Sequence, residues 1–499
     1  MAFLAALLLG VATVFGFAPF GASALPVLTL AGLFALWWRA PTPRAAGWVG
    51  FAFGAGLFGA GVSWVYIALS TFGEMPSVLA AIATLCFCAY LALFPALAGW
   101  CVARLAPTES GLRLALIAPA WTLAEWLRGW LLSGFPWLSI GYAQLSAPLA
   151  GYAPIGGVFL VSFFVAAIAA LLAQATIAAE ARRVWQVAIA TAAIVALVAL
   201  GLVLSTIEFS RPAGDPIDVS LVQGNIAQDV KFDPAYRNSS LETYADLVAL
   251  AKGRLIVLPE SALPMFADEV PAEYVARLRQ EAQKRGGDIL FGLFFFEPRT
   301  GTDEDDHYFN SVVGIGSATT QVYRKHHLVP FGETIPAKPI FGWFIRSVLH
   351  IPLADQTPGS ANQEPFAVSG ERLAVNICYE DAFGSELIRK LPEATMLVNV
   401  TNDAWYGRSL AAEQHEQIAA MRALETARPM LRATNTGITS IIDHHGVEVA
   451  RLPWFTRGVL EGRIAGRLGT TPYVRFGDAP VVIAALLLLG AVVLFRRLA

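Results

Sequence analysis

The chain has 499 residues, 56% of them hydrophobic and 15% charged, with a mean hydropathy of +0.56. Soluble domains carry about 25% charged residues, so this balance excludes an ordinary soluble protein and points to a membrane one. A formal net charge of −3 leaves no electrostatic footprint for nucleic acid. The polar residues are unevenly placed: the six lysines and seven histidines all fall between Lys231 and His445, and the first 206 residues hold neither type.

A membrane-crossing helix needs roughly 20 apolar residues. Seven candidates precede the polar half, at 2–17, 22–38, 47–69, 77–103, 112–131, 155–179 and 185–206; an eighth lies at 479–495. The first lacks a basic flank and a cleavage pattern, and is read as a retained span. Basic residues in short loops set orientation. Arg39 and Arg44, Arg104 and Arg113, Arg182 and Arg183, and Arg496 and Arg497 all fall on one face if the count is eight. That face is expected to be cytoplasmic and to hold both termini, which puts the polar segment on the periplasmic side of an inner membrane. Glu125 and Arg128, three apart near the outer end of the fifth candidate, are expected to form a structural ion pair. Cys86, Cys88 and Cys101 sit in apolar runs and read as packing residues.

From residue 217 to about 467 the texture changes to short strand-like runs alternating with amphipathic helices. Runs at 255–258, 289–295, 311–315, 319–323, 373–377 and 396–400 read as strands. Helical spacing covers 241–250, 272–284 and 410–427, and two further strands flank a turn at His444-His445-Gly446. This alternation predicts one large α/β domain. The expected division is a bundle at 1–206, an external domain at 207–478, and a closing span with its tail at 479–499. Three polar residues stand at or just beyond strand ends: Glu260, Lys325 and Cys378. A thiol becomes a good nucleophile only as the thiolate, a carboxylate can take its proton, and a lysine can hold the oxyanion of a tetrahedral intermediate. Read singly, each is equally a surface acid, a surface amine and a core cysteine.

The flanking residues carry more. Leu258-Pro-Glu-Ser261, Tyr323-Arg-Lys-His-His-Leu-Val-Pro-Phe-Gly-Glu333 and Ile377-Cys-Tyr-Glu380 resemble the Glu-Lys-Cys signatures of the nitrilase superfamily. The runs Thr401-Asn-Asp-Ala-Trp-Tyr-Gly407, Gln414-His415, 421–429 and Asn435-Thr-Gly-Ile438 resemble one branch of it, the apolipoprotein N-acyltransferases, over essentially the whole chain. The resemblance implies eight transmembrane helices plus an extramembrane α-β-β-α sandwich. It implies Cys378 as nucleophile, Glu260 as base and Lys325 as oxyanion stabiliser, with Glu333, Tyr379 and Glu380 supporting the site and Trp405 in a matching motif. It also implies a phospholipid acyl donor, a diacylglyceryl-modified apolipoprotein acceptor, and no cofactor. Nothing in the chain points to an obligate dimer, so a monomer is expected. One departure stands in Gln228-Asp-Val-Lys231, where the family often continues with Trp and this chain has Phe232, which retains stacking but not the indole N–H.

Rival readings are a membrane-tethered amidohydrolase acting on a small amide, or a transporter or scaffold with an inactive domain. The adjacent pairs His326-His327 and His444-His445 lack metal-ligand spacing, so no metal site is expected. His415 reads as a packing or capping residue. Two apolar stretches, 340–352 with Trp343, Phe344 and Ile345, and 452–455, are expected to meet the outer leaflet and guide lipid to the site.

Overall fold

The computed structural model describes residues 1–298, 306–334 and 355–498. It divides into two compact units. The first comprises Met1–Tyr66, Val78–Glu208 and Thr471–Ala499, and the second Ile67–Ser77 and Phe209–Thr470.

Every expected span coincides with helix in the first unit or at its boundary: Ala2–Thr13, Ala24–Arg39, Pro43–Gly61, Ser77–Leu105, Ile117–Arg128, Ala153–Glu180, Val184–Leu204 and Ala479–Leu498. Among the described residues three helical stretches are long and apolar enough to cross a membrane, namely Ser77–Leu105, Pro148–Glu180 and Val184–Leu204. A fourth is the pair Pro43–Gly61 and Val65–Phe72, bent by 57°. Ala2–Gly16, Ala24–Arg39 and Ala479–Val492 are shorter apolar helices. These helices mark the protein as a membrane protein; among the described residues three, or four if the bent pair is one span, have the length and composition to cross. The stretch expected to cross at 112–131 is broken into Gly111–Ala115 and Ile117–Arg128.

Small residues let these helices meet. A Cβ on Gly10 would lie 2.0 Å from the Phe53 carbonyl oxygen, and one on Gly56 2.1 Å from that of Leu7, so each helix presents a glycine to the other's backbone. Val184–Leu204 is apolar all round and buries only Ala190 and Gly201, as a lipid-facing helix would. Glu125 and Arg128 have a more specific task than pairing with each other. Glu125 accepts the Ile140 N–H at 2.8 Å, while Arg128 donates to the carbonyls of Phe135 and Trp137 at 2.5 and 2.6 Å and to Ser139 Oγ at 3.1 Å. Both side chains pin the loop 133–142 from the same helical face. Arg113 caps the ends of neighbouring helices, donating to Trp37 O, Ala40 O and Ala106 O at 3.0, 2.8 and 3.0 Å.

The second unit holds fourteen described strands: β1 Ser210–Pro212, β2 Ile217–Gln223, β3 Leu255–Val257, β4 Asp288–Glu297, β5 His307–Gly316, β6 Gln321–Arg324, β7 Phe366–Val368, β8 Glu371–Ile377, β9 Met396–Thr401, β10 Met430–Thr434, β11 Ser440–Ile442, β12 Glu448–Arg451, β13 Gly458–Ile464 and β14 Arg467–Gly469. Two six-stranded sheets run in the orders β13-β2-β3-β4-β5-β6 and β12-β11-β10-β9-β8-β7; β1 and β14 pair separately. In each large sheet the three central strands are parallel and the outer pairings antiparallel.

The parallel strands are buried on both faces, which is why 255–258 and 373–377 read as continuous apolar runs. One face of the first sheet, through Val222, Ile256, Ile289, Phe291, Val313 and Ile315, packs on helices Arg237–Leu250 and Ala272–Lys284. The inner faces of the two sheets meet where Gly462 leaves room for Ile441, and Gly314 for Phe366. The second sheet carries helix Ala411–Thr426, buried over most of its surface. This is an α-β-β-α arrangement. The expected strand before the His444-His445-Gly446 turn is only three residues long, β11, and β10, which sits between β9 and β11, falls in a stretch where Arg428-Pro429 and the polar Arg432 and Thr434 mask its strand pattern.

Candidate active site

Cys378 lies immediately beyond β8, at the first position of a 3₁₀ turn Cys378–Ala382, with φ +52°. A left-handed conformation costs a non-glycine residue about 1–2 kcal/mol, so neighbouring contacts must impose it. Glu380 supplies them. Its buried carboxylate accepts the Ile377 N–H at 2.7 Å, the Tyr323 hydroxyl at 2.9 Å, and the N–H groups of His326 and His327 at 2.7 and 3.1 Å. One side chain therefore ties the cysteine turn of one sheet to the segment after β6 in the other. Tyr379 is buried with its ring 5.0 Å from Phe383 and 5.8 Å from His327.

That second segment carries Lys325, whose side chain is wholly buried. Its Nζ lies 2.7 Å from Glu333 Oε1 and 3.6 Å from Glu260 Oε1. Glu260 comes from the turn after β3, where Ser261 has φ +46°. Gly292 on β4 permits the close approach, because a Cβ there would sit 2.4 Å from the Ser261 nitrogen. Asn310 on β5 links the two carboxylates, donating from Nδ2 to Glu260 Oε1 at 2.7 Å and to Glu333 Oε1 at 3.4 Å. The structure thus brings Glu260, Lys325 and Glu333 together directly, with Cys378 close enough to share their electrostatics. Burial and then the Glu260 charge push the thiol well above its ordinary range, against the pull of Lys325 and Thr401. Burial alone would lower the Lys325 ammonium, but Glu333, Glu260 and Cys378 overcome it and hold the amine protonated. A buried thiol, carboxylate and ammonium in one place can exchange a proton and receive an acyl group.

Residues 9–171 match the family Apolipoprotein N-acyltransferase N-terminal domain, and residues 218–473 match Carbon-nitrogen hydrolase. An Apolipoprotein N-acyltransferase of Nitrosomonas europaea is 48% identical over 99% of this chain and 97% of its own. One from Ralstonia nicotianae is 46% identical over 99% of this chain and 93% of its own. The chain belongs to the apolipoprotein N-acyltransferase family. As a member of that family it is an acyltransferase, built with a nitrilase-like domain.

The remaining expected site residues separate. Phe232 is half-buried, with its ring 6.2 Å from Phe294 and 5.9 Å from Lys231 Nζ. Trp405 lies in the turn Asp403–Tyr406 after β9, edge-on to Phe72 at 6.1 Å, while its neighbours Asp403 and Tyr406 are near enough to Cys378 to interact with it electrostatically. Trp343 and the stretch 340–352 lie outside the described residues. The 452–455 stretch is anchored: Gln223 Nε2 donates to Pro453 O at 2.8 Å and Arg408 stacks over Phe455 at 4.4 Å.

His415 corrects the expectation of a packing or capping residue. Its Nδ1 is 2.9 Å from Asp403 Oδ1, and its Nε2 is 2.9 Å from Asp381 Oδ1 and 3.3 Å from the Cys378 carbonyl oxygen. Arg432 reaches the other oxygens of both carboxylates at 3.1 and 3.0 Å, and Asn399 Oδ1 at 2.8 Å. Two acids and two cations close a charge-balanced cluster beneath the cysteine turn. No sequence spacing relates 381, 403, 415 and 432, which come from four separate elements.

This cluster has a pH signature. Burial and Arg432 lower the His415 pKa, but Asp381 and Asp403 outweigh them and raise it from 6.5 to about 9. A raised folded value contributes stability that is full below pH 6.5 and lost as pH rises through about 9, roughly 3 kcal/mol in all. Burial raises Asp403, yet His415 and Arg432 bring it below its ordinary value, so its contribution is lost only as pH falls through the acid range. Thermal stability of the purified full chain is expected to fall from pH 7 to 10, and His415→Gln to flatten that slope. An identical alkaline slope in both proteins would refute this source of stability.

Proposed function

We propose that the chain transfers a fatty acyl group from a phospholipid to the α-amino group of the N-terminal diacylglyceryl-cysteine of apolipoproteins, through a thioester on Cys378. The observation that carries this reading is the buried meeting of Lys325 with Glu260 and Glu333 beside a strained cysteine, in a chain of this family.

Glu260 takes the thiol proton and the thiolate attacks the ester carbonyl carbon. The acyl C–O bond breaks, the new C–S bond forms, and the proton returns from Glu260 to the departing lysophospholipid oxygen. The acceptor amine then attacks the thioester, Glu260 takes a proton from the amine, and the C–S bond breaks as the amide forms. Lys325 stabilises the oxyanion in both halves, and Glu333 holds its ammonium in place. Burial of the thiol protects the thioester from water. On this reading the helices at 1–206 and 479–499 form an eight-span bundle, both termini are cytoplasmic, and the domain at 207–478 works as a monomer on the periplasmic side of the inner membrane. Trp343, Phe344 and Ile345 would then meet lipid at the outer leaflet.

The test supplies the purified full chain with phospholipid and a synthetic lipopeptide bearing an N-terminal diacylglyceryl-cysteine. Mass spectrometry is expected to show the lipopeptide heavier by one acyl chain and an equal amount of lysophospholipid. Release of free fatty acid with an unchanged lipopeptide would identify a hydrolase and refute the transfer.

A further inference from the structure

Lys231 is a second amine in the site, and the two-step transfer leaves it without a task. It ends the short helix Gln228–Lys231, is 2% exposed, and donates from Nζ to the main-chain carbonyl of Glu260 at 3.1 Å. The segment is held from both sides. Gln228 Oε1 accepts from Asn402 Nδ2 at 2.7 Å, Asn402 Oδ1 accepts from Asn435 Nδ2 at 3.0 Å, and Asn435 brackets the Ile226 N–H and carbonyl at 2.9 and 2.7 Å. An ammonium buried this deeply needs negative partners, and the Glu260 carboxylate and the Cys378 thiolate both favour it.

The charges around Cys378 explain why. Glu260 and Glu333 bring two carboxylates, which Lys325 alone would balance by half. With Lys231 the four groups are neutral, and together with Cys378 they stay neutral when the thiol proton moves to Glu260. Without it the thiolate would form in a buried site already carrying one uncompensated negative charge, a costly arrangement at low dielectric.

We propose that Lys231 is a positioning residue of the acyl-transfer site, seated on the Glu260 main chain, whose charge permits Cys378 to ionise. This rests on the reading of Cys378 as the nucleophile. Burial lowers the Lys231 ammonium to about 8, so its charge is present at neutral pH and fades in mild alkali. Among the described residues the other titratable groups that interact with the thiol or its carbonyl are Glu260, Lys325, Asp403, Tyr406 and His415, and all stay in place in the variants below.

The experiment measures iodoacetamide alkylation of Cys378 in the purified full chain by peptide mass, from pH 6 to 10, in wild type, Lys231→Arg, Lys231→Gln and Lys231→Met. Lys231→Gln keeps a donor for the Glu260 carbonyl without the charge, and replaces Lys231→Met if that variant does not accumulate. The expected result is alkylation about tenfold slower at pH 7.5 in the uncharged variants, with the whole rate-against-pH profile displaced to higher pH, and near-wild-type behaviour in Lys231→Arg. Wild-type alkylation in Lys231→Gln would overturn the proposal and leave Lys231 a structural cap. Acyl uptake from phospholipid, run in parallel on the wild type, separates the two readings. Uptake with an unmoved alkylation profile refutes only the role of Lys231, whereas no uptake refutes the thioester whatever the alkylation shows.

Discussion

Cys378→Ala is expected to abolish acyl transfer, lowering the rate by on the order of 10⁴ or more, while the chain still folds and binds lipid. Among the described groups of the site the thiol, once ionised, is the strongest nucleophile for the acyl carbon. Glu260→Gln is expected to lose less, on the order of 10² to 10⁴, because the carboxylate moves protons and Lys325 still meets the oxyanion. The difference between the two variants matters more than either value. Equal, small losses in both would mean that the chemistry takes place elsewhere, whereas a graded loss assigns the bond-forming and proton-moving roles. The substitution at 378 is also structurally mild. The turn is held by Glu380 accepting the backbone N–H groups of Ile377, His326 and His327, bonds in which the thiol takes no part.

Arg432→Leu is expected to cost about 3–5 kcal/mol, the range for removing one partner from a buried ion pair. Asp381, Asp403 and Arg432 are all at most 3% exposed, so the two carboxylates would be left with His415 alone and no water to replace the guanidinium. Asp381 belongs to the cysteine turn and Asp403 to the turn carrying Trp405 and Tyr406. Unfolding is therefore expected to begin where these turns meet. The checking measurement is thermal unfolding of the purified full chain together with hydrogen exchange in the peptides spanning 378–383 and 402–407. An unchanged melting temperature would show that the cluster is not a source of stability.

The sequence carried the reacting groups more legibly than their supports. Glu260, Lys325 and Cys378 sit at strand ends, and a strand buried on both faces announces itself as a short apolar run, so the chain marks where each strand stops and its chemistry begins. Helix 272–284 was equally plain, since its charged outer face alternates with Leu278 and Ala282. Asn310, Lys231 and the cluster around His415 left no comparable mark. Asn310 is one polar residue inside a long strand, and Lys231 ends a helix of four residues. The four members of the cluster are up to 51 residues apart. Their relation exists only once β8, β9 and β10 lie side by side and helix Ala411–Thr426 covers them. In the membrane half, hydropathy located the helices but not their pairing. Glu125 and Arg128 share a helical face as their spacing requires, yet each bonds the loop 133–142, a choice that only the path of that loop reveals.

On the proposed mechanism Cys378 carries the acyl chain between two molecules. The most direct test of this is the intact mass of the purified full chain after incubation with phospholipid alone, followed by peptide mapping. A gain of one fatty acyl chain is expected on the peptide containing Cys378, removed by hydroxylamine and by the lipopeptide amine, and absent in Cys378→Ala. Turnover of phospholipid with no adduct at Cys378, or an adduct that persists in Cys378→Ala, would contradict the mechanism.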